Sequence, residues 1–146
     1  MKSELAAVAL SLAVVFPLFG CNNSKPAGNE SATAAPSFPE QKIAAVEQML
    51  KDKSGVVVDA NGASTRREYG VIPGAVLLSD HKSYALTELP SEKSTKLVFY
   101  CGGTACRASD AAAGRAASAG YSNVSVLREG IRGWKSAGRP TALPQS

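Results

Sequence analysis

Residues 99–109, FYCGGTACRAS, contain the side chains best suited to chemistry in this chain. A cysteine attacks as a thiolate, so the pKa of a nucleophilic cysteine must fall below its free value of about 8.5. Gly102 and Gly103 allow the backbone to turn sharply after Cys101 and to bring its N–H groups close to a bound anion. The dipole of a following helix stabilises the same negative charge. The segment therefore predicts a nucleophilic Cys101 in an anion-binding loop.

The rest of this loop is predicted to bind the substrate. Its backbone N–H groups are expected to face the anion, and the planar guanidinium group of Arg107 offers paired donors to sulfonate, phosphate or arsenate oxygens. The predicted substrate-binding residues are Gly102, Gly103, Thr104, Ala105, Cys106 and Arg107.

The basic residues of the chain are concentrated in the part that follows the loop. Residues 1–100 hold ten basic and ten acidic side chains, so residues 101–146 account for the whole formal charge of +4. This distribution favours a small anionic substrate near the loop, and a solvated basic helix face explains it equally well. The cations are dispersed and lack interleaved aromatic residues, so we do not expect nucleic acid as a partner.

Residues 1–20 are predicted to be a lipoprotein signal peptide. Lys2 precedes an apolar run of roughly 15 residues, which is shorter than the about 20 residues that span a bilayer. The run ends in Leu18-Phe19-Gly20-Cys21, which resembles the bacterial lipobox and predicts lipidation of Cys21. An ordinary signal peptide, or an uncleaved anchor with a free Cys21, is the alternative.

Residues 21–40 are predicted to form a disordered tether, and residues 41–146 the folded domain. The tether is rich in small and polar residues, so it cannot bury enough apolar surface to order itself. Acyl chains on Cys21 would anchor the protein on a membrane, since each buried CH₂ contributes about 0.8 kcal/mol. We expect a lipid-anchored protein of the bacterial cell envelope that faces the periplasm, and Asn22 favours the outer over the inner membrane.

The two loop cysteines leave further alternatives open. Cys101 and Cys106 have four residues between them and would lie in an oxidising compartment, so they allow a disulfide in a non-catalytic, redox-sensitive lipoprotein. So small a loop gains little stability from closure, which favours a reversible bond that protects a reactive thiol. A metal site needs more ligands than these cysteines supply, and the single histidine, His81, lies in a separate polar segment. No metal and no cofactor are expected.

Short apolar strands alternate with helices along the folded domain. Ile43, Val46 and Leu50 have helical spacing, and residues 56–58 form a β-branched run typical of a buried strand. Further strands are predicted at 76–78, 96–100 and 124–127, and further helices at 66–69, 105–119 and 131–137. This alternation predicts an α/β domain with a parallel sheet covered on both faces. Ligands bind beyond the carboxyl ends of the strands in such sheets, and residues 101–107 follow one of these ends.

Several segments in order resemble the rhodanese-like domain family from about residue 43 to residue 140. They are Val56–Asp59, Gly70–Ala75, Val98–Cys101, Gly120-Tyr121 followed by Val124–Leu127, and Glu129–Pro140. The resemblance implies a rhodanese-like three-layer fold with a central, mainly parallel β-sheet flanked by helices. It also implies a sulfurtransferase in which Cys101 forms a persulfide. Sulfane sulfur would pass from a small anionic donor such as thiosulfate to a thiol or other thiophilic acceptor.

Some residues depart from the pattern of this family. Asp59 is followed by Ala60 and Asn61 instead of an apolar residue and an arginine, so an internal ion pair is expected to be missing. The loop after Cys101 is also longer than usual, which would admit a larger tetrahedral oxyanion.

The same loop also has the spacing Cys-x5-Arg, which is typical of phosphatases and of arsenate reductases that share the rhodanese fold. In that alternative Arg107 binds the oxyanion, Cys101 attacks it and Cys106 resolves the intermediate. Those families often place histidine before the cysteine, whereas this chain has Tyr100. Sulfur transfer is therefore the favoured function.

Overall fold

The computed structural model describes residues 37–144, in which strands and helices alternate. The elements are α1 (Ile43–Asp52), β1 (Val56–Asp59), α2 (Ala63–Tyr69), β2 (Val76–Leu77), a 3₁₀ turn (Leu86–Glu88), β3 (Leu97–Tyr100), α3 (Ala108–Ser118), β4 (Val124–Leu127) and α4 (Gly130–Ser136). Each predicted strand and helix has a counterpart in this order.

Within residues 37–144, four strands form one parallel sheet in the order β2-β1-β3-β4. The central strands β1 and β3 pair in register, Val57 with Val98 and Asp59 with Tyr100. Both strands are almost completely buried, as expected for apolar strands covered on two faces. The predicted α/β fold with a central parallel sheet flanked by helices is confirmed.

Successive residues of the central strands point to opposite helical layers. Val57 and Val98 belong to the core that includes α1 and α4, and Val58 and Phe99 belong to the core that includes α3. The buried helix residues are Val46, Met49, Ile131 and Trp134 in the first core and Ala112, Ala113 and Ala116 in the second. The sheet therefore lies between two apolar layers.

Helix α3 is bounded by a turn at each end. It begins at Ala108, later than the predicted start at residue 105, because Cys106 N–H donates to the Gly103 carbonyl at 2.9 Å and closes a separate turn. It is followed by Gly120, as predicted, with φ +92°. Tyr121 N–H then donates to the carbonyl of Ala116 and Gly120 N–H to that of Ala117, the Schellman pattern of helix ends.

A buried polar network joins the carboxyl ends of the central strands. Tyr100 Oη donates to Asp59 Oδ2 at 2.6 Å and accepts from Ile72 N–H at 3.1 Å. Arg66 Nε lies 3.4 Å from Asp59 Oδ1, and Arg66 Nη2 donates to the carbonyls of Asp59 and Leu78. The expectation of a missing internal ion pair was wrong, because α2 supplies an arginine that the residues directly after β1 do not.

The folded unit begins before the predicted boundary at residue 41. Phe38 packs against the core. Gln41 N–H donates to the Val126 carbonyl at 2.8 Å, and Val126 N–H donates to the Pro39 carbonyl at 2.9 Å. The last residues of the predicted tether therefore pair with β4.

The remaining N-terminal predictions concern residues that the structure does not describe. The signal peptide at residues 1–20, the lipidation site Cys21 and the tether up to residue 36 lie outside the described range. Among the helices of residues 37–144, none combines the length and apolar character needed to cross a bilayer.

Candidate functional site

An open cavity of about 630 Å³ lies beyond the carboxyl ends of β1 and β3. The predicted loop residues 102–106 form part of its wall, and Asn61, Glu129 and Arg132 contribute from neighbouring segments. The structure therefore brings most of the predicted substrate-binding loop to a single cavity at the sheet edge where α/β proteins bind ligands.

Helix α4 holds the loop in place through its first turn. Ile131 N–H donates to the Cys101 carbonyl at 2.9 Å, and Arg132 N–H donates to the Gly102 carbonyl at 3.2 Å. Gly130 has φ +60°, and a Cβ atom at this position would collide with the Cys101 carbonyl and the loop backbone. Position 130 therefore requires glycine both for its backbone conformation and for the close approach of helix and loop.

Cys101 follows β3 and is only 2% exposed. It is not among the residues that line the cavity, and its Sγ lies 3.4 Å from Ser109 Oγ on α3. Burial raises the pKa of the Cys101 thiol, and its hydrogen bond to Cys106 raises the pKa further. This direction is opposite to the sequence-based expectation, because desolvation outweighs the hydrogen bonds from Ser109.

Cys106 is half-buried and lines the cavity. Burial alone would raise the pKa of its thiol, but hydrogen bonds from the Cys101 thiol and from the backbone N–H groups of Ala108 and Gly102 hold that pKa below its ordinary value. Both cysteines are free thiols in this structure, so the disulfide that their spacing allows is not formed. The pKa values of the two loop thiols are therefore shifted in opposite directions, upward for Cys101 and downward for Cys106.

The loop between the cysteines also carries free hydrogen-bond donors. In the described part of the chain, the backbone N–H groups of Gly103, Thr104 and Ala105 donate to no other main-chain carbonyl. These residues line the cavity together with Cys106. A series of free N–H groups in a turn is a general way to bind an anion.

Two arginines lie near the loop and differ in their contacts: Arg107 directly follows it in sequence, and Arg132 lines the same cavity. Arg107, predicted to bind the substrate, is 77% exposed in its side chain, pairs with Asp110 at 3.5 Å and does not line the cavity. Arg132 does line it, with its guanidinium 4.9 Å from the centre of the Tyr69 ring. Arg132 makes no ion pair within residues 37–144. The cation at this cavity is therefore Arg132, which the sequence analysis did not single out.

Asn61 is a second cavity residue that the sequence analysis did not assign to the site. It is 7% exposed, and its backbone N–H donates to Asp59 Oδ1 at 2.6 Å. Its side-chain Nδ2 is buried and has no hydrogen-bond partner among the described residues. A buried donor without a partner is rare, so this amide is available to a ligand in the cavity. The only signal in the sequence was the departure from the family pattern after Asp59.

Most other basic residues after the loop are paired away from the cavity. Arg128 binds Asp110 at 2.7 Å, and Arg139 binds Glu47 at 2.9 Å. The predicted positive charge near the loop is therefore carried mainly by Arg132. In the described range, no three His, Cys, Asp or Glu side chains are grouped as a metal site would require.

Comparisons with known proteins agree with this arrangement. The family model for the Rhodanese-like domain matches residues 42–137. Among solved structures, a protein from Bacillus halodurans shares 27% identity with a TM-score of 0.60, over 70% of this chain and 74% of that chain. A search among curated proteins finds no match.

Two further solved structures are similar at lower identity. A thiosulfate sulfurtransferase from Pseudomonas aeruginosa shares 23% identity with a TM-score of 0.58, over 70% of this chain and 20% of that chain. A Rhodopseudomonas palustris protein of unknown function, described as a possible tyrosine phosphatase, shares 23% identity with a TM-score of 0.58, over 71% and 84%. At this identity the likeness shows the fold alone.

The family match covers nearly the whole folded unit, from the start of α1 to the end of α4. It agrees with the parallel sheet, with the loop after β3 and with the segments on which the resemblance was based. The chain therefore belongs to the rhodanese-like domain family.

Proposed function

We propose that this protein is a sulfurtransferase that moves sulfane sulfur from a thiosulfate-like donor to a thiol or other thiophilic acceptor. A loop thiolate attacks the outer sulfur of the donor, the S–S bond of the donor breaks, and sulfite leaves with the bonding electron pair. The cysteine keeps the sulfur as a persulfide anion, from which an acceptor nucleophile removes it and regenerates the thiolate. The family resemblance assigns the persulfide to Cys101.

The observation that carries this proposal is one cavity whose loop combines cysteine thiols with hydrogen-bond donors for an anion. The thiol with the lowered pKa and the free N–H groups of residues 103–105 lie on the same loop. The Asn61 amide and the Arg132 guanidinium line the same cavity. Together these groups supply hydrogen-bond donors to the oxygen atoms of the thiosulfate-like substrate. The same groups stabilise the negative charge of the leaving sulfite.

Arsenate reduction or phosphatase chemistry through Cys-x5-Arg is less well supported. That chemistry needs the arginine to bind the oxyanion beside the nucleophile. Arg107 is instead exposed and pairs with Asp110, outside the cavity lining. A non-catalytic redox role for the cysteine pair is also less well supported, because a low thiol pKa and free donors in one cavity favour a reactive site.

The test is a comparison of substrates on the full-length protein. We expect thiosulfate and cyanide to be converted to sulfite and thiocyanate, and we expect the double variant Cys101→Ser/Cys106→Ser to produce neither. Arsenate with a thiol reductant and an aryl phosphate are the competing substrates. Turnover of either one without any thiocyanate production would contradict sulfur transfer.

We also propose that Cys21 is lipidated and holds the domain on the periplasmic side of the outer membrane. The support is the sequence around Cys21 and the polar composition of the following segment. In a bacterial host, the wild type is expected in the membrane fraction and Cys21→Ser in the soluble fraction. An equal distribution of the two proteins would contradict the anchor, and separation of the two membranes by density tests its location.

A further inference from the structure

Asn61 follows the last residue of β1 by two positions and lies beside the loop. It is 7% exposed and lines the same cavity as Gly102. A Cβ atom added at Gly102 would lie 3.8 Å from Asn61 Oδ1. The side-chain amide of Asn61 is therefore the neighbour of the first loop residue after Cys101.

The central strands hold the backbone of Asn61 in place. Its N–H donates to Asp59 Oδ1 at 2.6 Å, and Asp59 Oδ2 in turn accepts from Tyr100 Oη at 2.6 Å. The preceding N–H, of Ala60, donates to the Tyr100 carbonyl at 2.9 Å. A polar residue fixed in this way before a ligand arrives loses little conformational freedom on binding. Asn61 is therefore preorganised for hydrogen bonding in the cavity.

The amide nitrogen of Asn61 leaves its hydrogen-bonding capacity unused. Nδ2 is buried and has no acceptor among residues 37–144. Folded proteins rarely leave a buried N–H group unpaired. Because Asn61 lines the cavity, the partner that the fold leaves room for is an acceptor atom of a bound ligand.

The other groups along the cavity wall favour an oxygen-bearing anion as this ligand. Arg132 makes no ion pair within residues 37–144, and the backbone N–H groups of residues 103–105 donate to no main-chain carbonyl of that range. Glu129, the acidic residue of the lining, has Lys42 Nζ at 4.0 Å from its carboxylate. Anionic oxygen accepts stronger hydrogen bonds than sulfur does, so these groups match oxygen atoms best.

We propose that Asn61 is a specificity-determining residue that selects sulfur donors whose leaving group carries oxygen atoms. Thiosulfate and organic thiosulfonates belong to this class, whereas polysulfides and small-molecule persulfides do not. This inference rests on the proposed sulfurtransferase function and names the class of sulfur donor that the site takes.

The selection follows from where negative charge develops. The loop cysteine thiolate forms a bond to the outer sulfur of thiosulfate, the S–S bond of thiosulfate breaks, and sulfite leaves with the electron pair. The charge of the thiolate stays on the persulfide, so no proton or further reactant is needed. The Asn61 amide stabilises the oxygen atoms of the departing sulfite. A polysulfide leaves with its charge on sulfur, where the same amide contributes less.

The test compares two sulfur donors on the full-length protein. Thiosulfate and inorganic polysulfide are each mixed with the protein, the reaction is quenched by alkylation, and mass spectrometry measures the rate at which one sulfur atom is added. Asn61→Ala is expected to lower the rate with thiosulfate by at least about tenfold and the rate with polysulfide by less than about twofold. A purely structural role would lower both rates together.

Matched variants separate the lost amide from other effects. Asn61→Leu keeps about the same side-chain size without a hydrogen-bonding group, so it should show the same donor selectivity as Asn61→Ala, and it serves if the alanine variant does not fold. Asn123→Ala is the control, because Asn123 is exposed and lines a separate cavity next to Lys96. It should change neither rate by more than about twofold.

The wild type provides a readout that needs no variant. Addition of sulfite is expected to shift the side-chain amide resonances of Asn61 in nitrogen–proton NMR spectra, and chloride at equal ionic strength is not. An unchanged ratio of the two rates in a folded Asn61 variant, equal losses with both sulfur donors, or amide resonances that do not respond to sulfite would each overturn the assignment and leave sulfur transfer intact. A wild type that gains sulfur from neither compound would instead overturn the proposed function itself.

Discussion

Cys101 and Cys106 have the same side chain, yet the pKa of the first thiol is raised and that of the second is lowered. Cys101 directly follows a buried strand, where desolvation disfavours its thiolate. Cys106 is half-buried, and hydrogen bonds with the Cys101 thiol and with the backbone N–H groups of Ala108 and Gly102 lower the pKa of its thiol. The sequence therefore identifies the two cysteines as candidates, and the burial and hydrogen bonds of each sulfur give the two thiols different pKa values.

The arginines of the site give a prediction at the same scale. Arg132→Gln is expected to raise KM for thiosulfate by about three- to tenfold, because it removes the unpaired cation from the cavity. Arg107→Gln is the matched control and should change KM by less than about twofold, since this side chain is exposed and pairs with Asp110. Steady-state kinetics measures both. A larger increase in KM for Arg107→Gln than for Arg132→Gln would show that Arg107, the arginine predicted from sequence, binds the substrate.

Gly130 gives a second prediction about a single residue. Gly130→Ala is expected to lower kcat/KM by about 100-fold, because its Cβ atom would push the loop that carries both cysteines. Gly138→Ala is the control at the other end of α4, where φ is +70° and nothing lies within 4 Å of an added Cβ atom. It should lose about 1 kcal/mol of stability from backbone strain and keep its activity. Equal activity losses in both variants would show that strain alone, and not the loop contact, is responsible.

At the scale of the elements, β1, β3 and α2 meet in the buried network around Asp59. Asp59 accepts hydrogen bonds from Tyr100 and from the backbone N–H of Asn61, and it pairs with Arg66. The same carboxylate therefore joins the central strands and positions Asn61 at the cavity. Helix α4 holds the other side of the loop through its first N–H groups.

Removal of one hydroxyl from this network tests its contribution to stability. Tyr100→Phe is expected to lower the free energy of unfolding by about 2–4 kcal/mol, because it leaves a buried carboxylate and the Ile72 N–H each short of a partner. Tyr84→Phe is the control, because its hydroxyl donates only to the Ala112 carbonyl, and it should cost about 1 kcal/mol. Urea unfolding measures both values. Equal losses would mean that the Asp59 contact contributes no more than an ordinary buried hydrogen bond.

At the scale of the whole molecule, the two helical layers bury tyrosine side chains on both faces of the sheet. Burial raises the pKa of Tyr84 to about 12. Burial, with the added charge of Asp59, raises the pKa of Tyr100 as well. The folded protein therefore keeps these protons at pH values where the unfolded chain, with tyrosine pKa values near 10, releases them.

This difference predicts the alkaline stability of the fold. Stability from these groups is fully present below about pH 10 and is lost as pH rises toward 12 and beyond, because the unfolded state then binds fewer protons. The urea midpoint is expected to fall steadily over this range, and Tyr84→Phe should reduce the slope. A midpoint that stays constant above about pH 10 would contradict the buried, protonated state of both tyrosines.

The amino-acid sequence by itself determined the α/β class, the parallel sheet, the order of its elements and the place of the loop after β3. These features follow from patterns between near neighbours: β-branched runs, helical spacing and the glycines at turns. The family resemblance rested on the same local segments. The exact start of α3 was missed, because the turn of Gly103 and Cys106 interrupts a sequence that otherwise favours a helix from residue 105.

Only the tertiary structure decided which residues share the cavity. Asp59 and Arg66 pair across the end of a strand, Arg132 replaces Arg107 as the cation that lines the cavity, and Cys106 lines that cavity whereas Cys101 is buried beside it. Each of these facts depends on burial and on contacts between segments far apart in the chain. Desolvation and hydrogen bonding set the pKa of a thiol, and both are properties of that three-dimensional surrounding, which spacing along the chain does not encode.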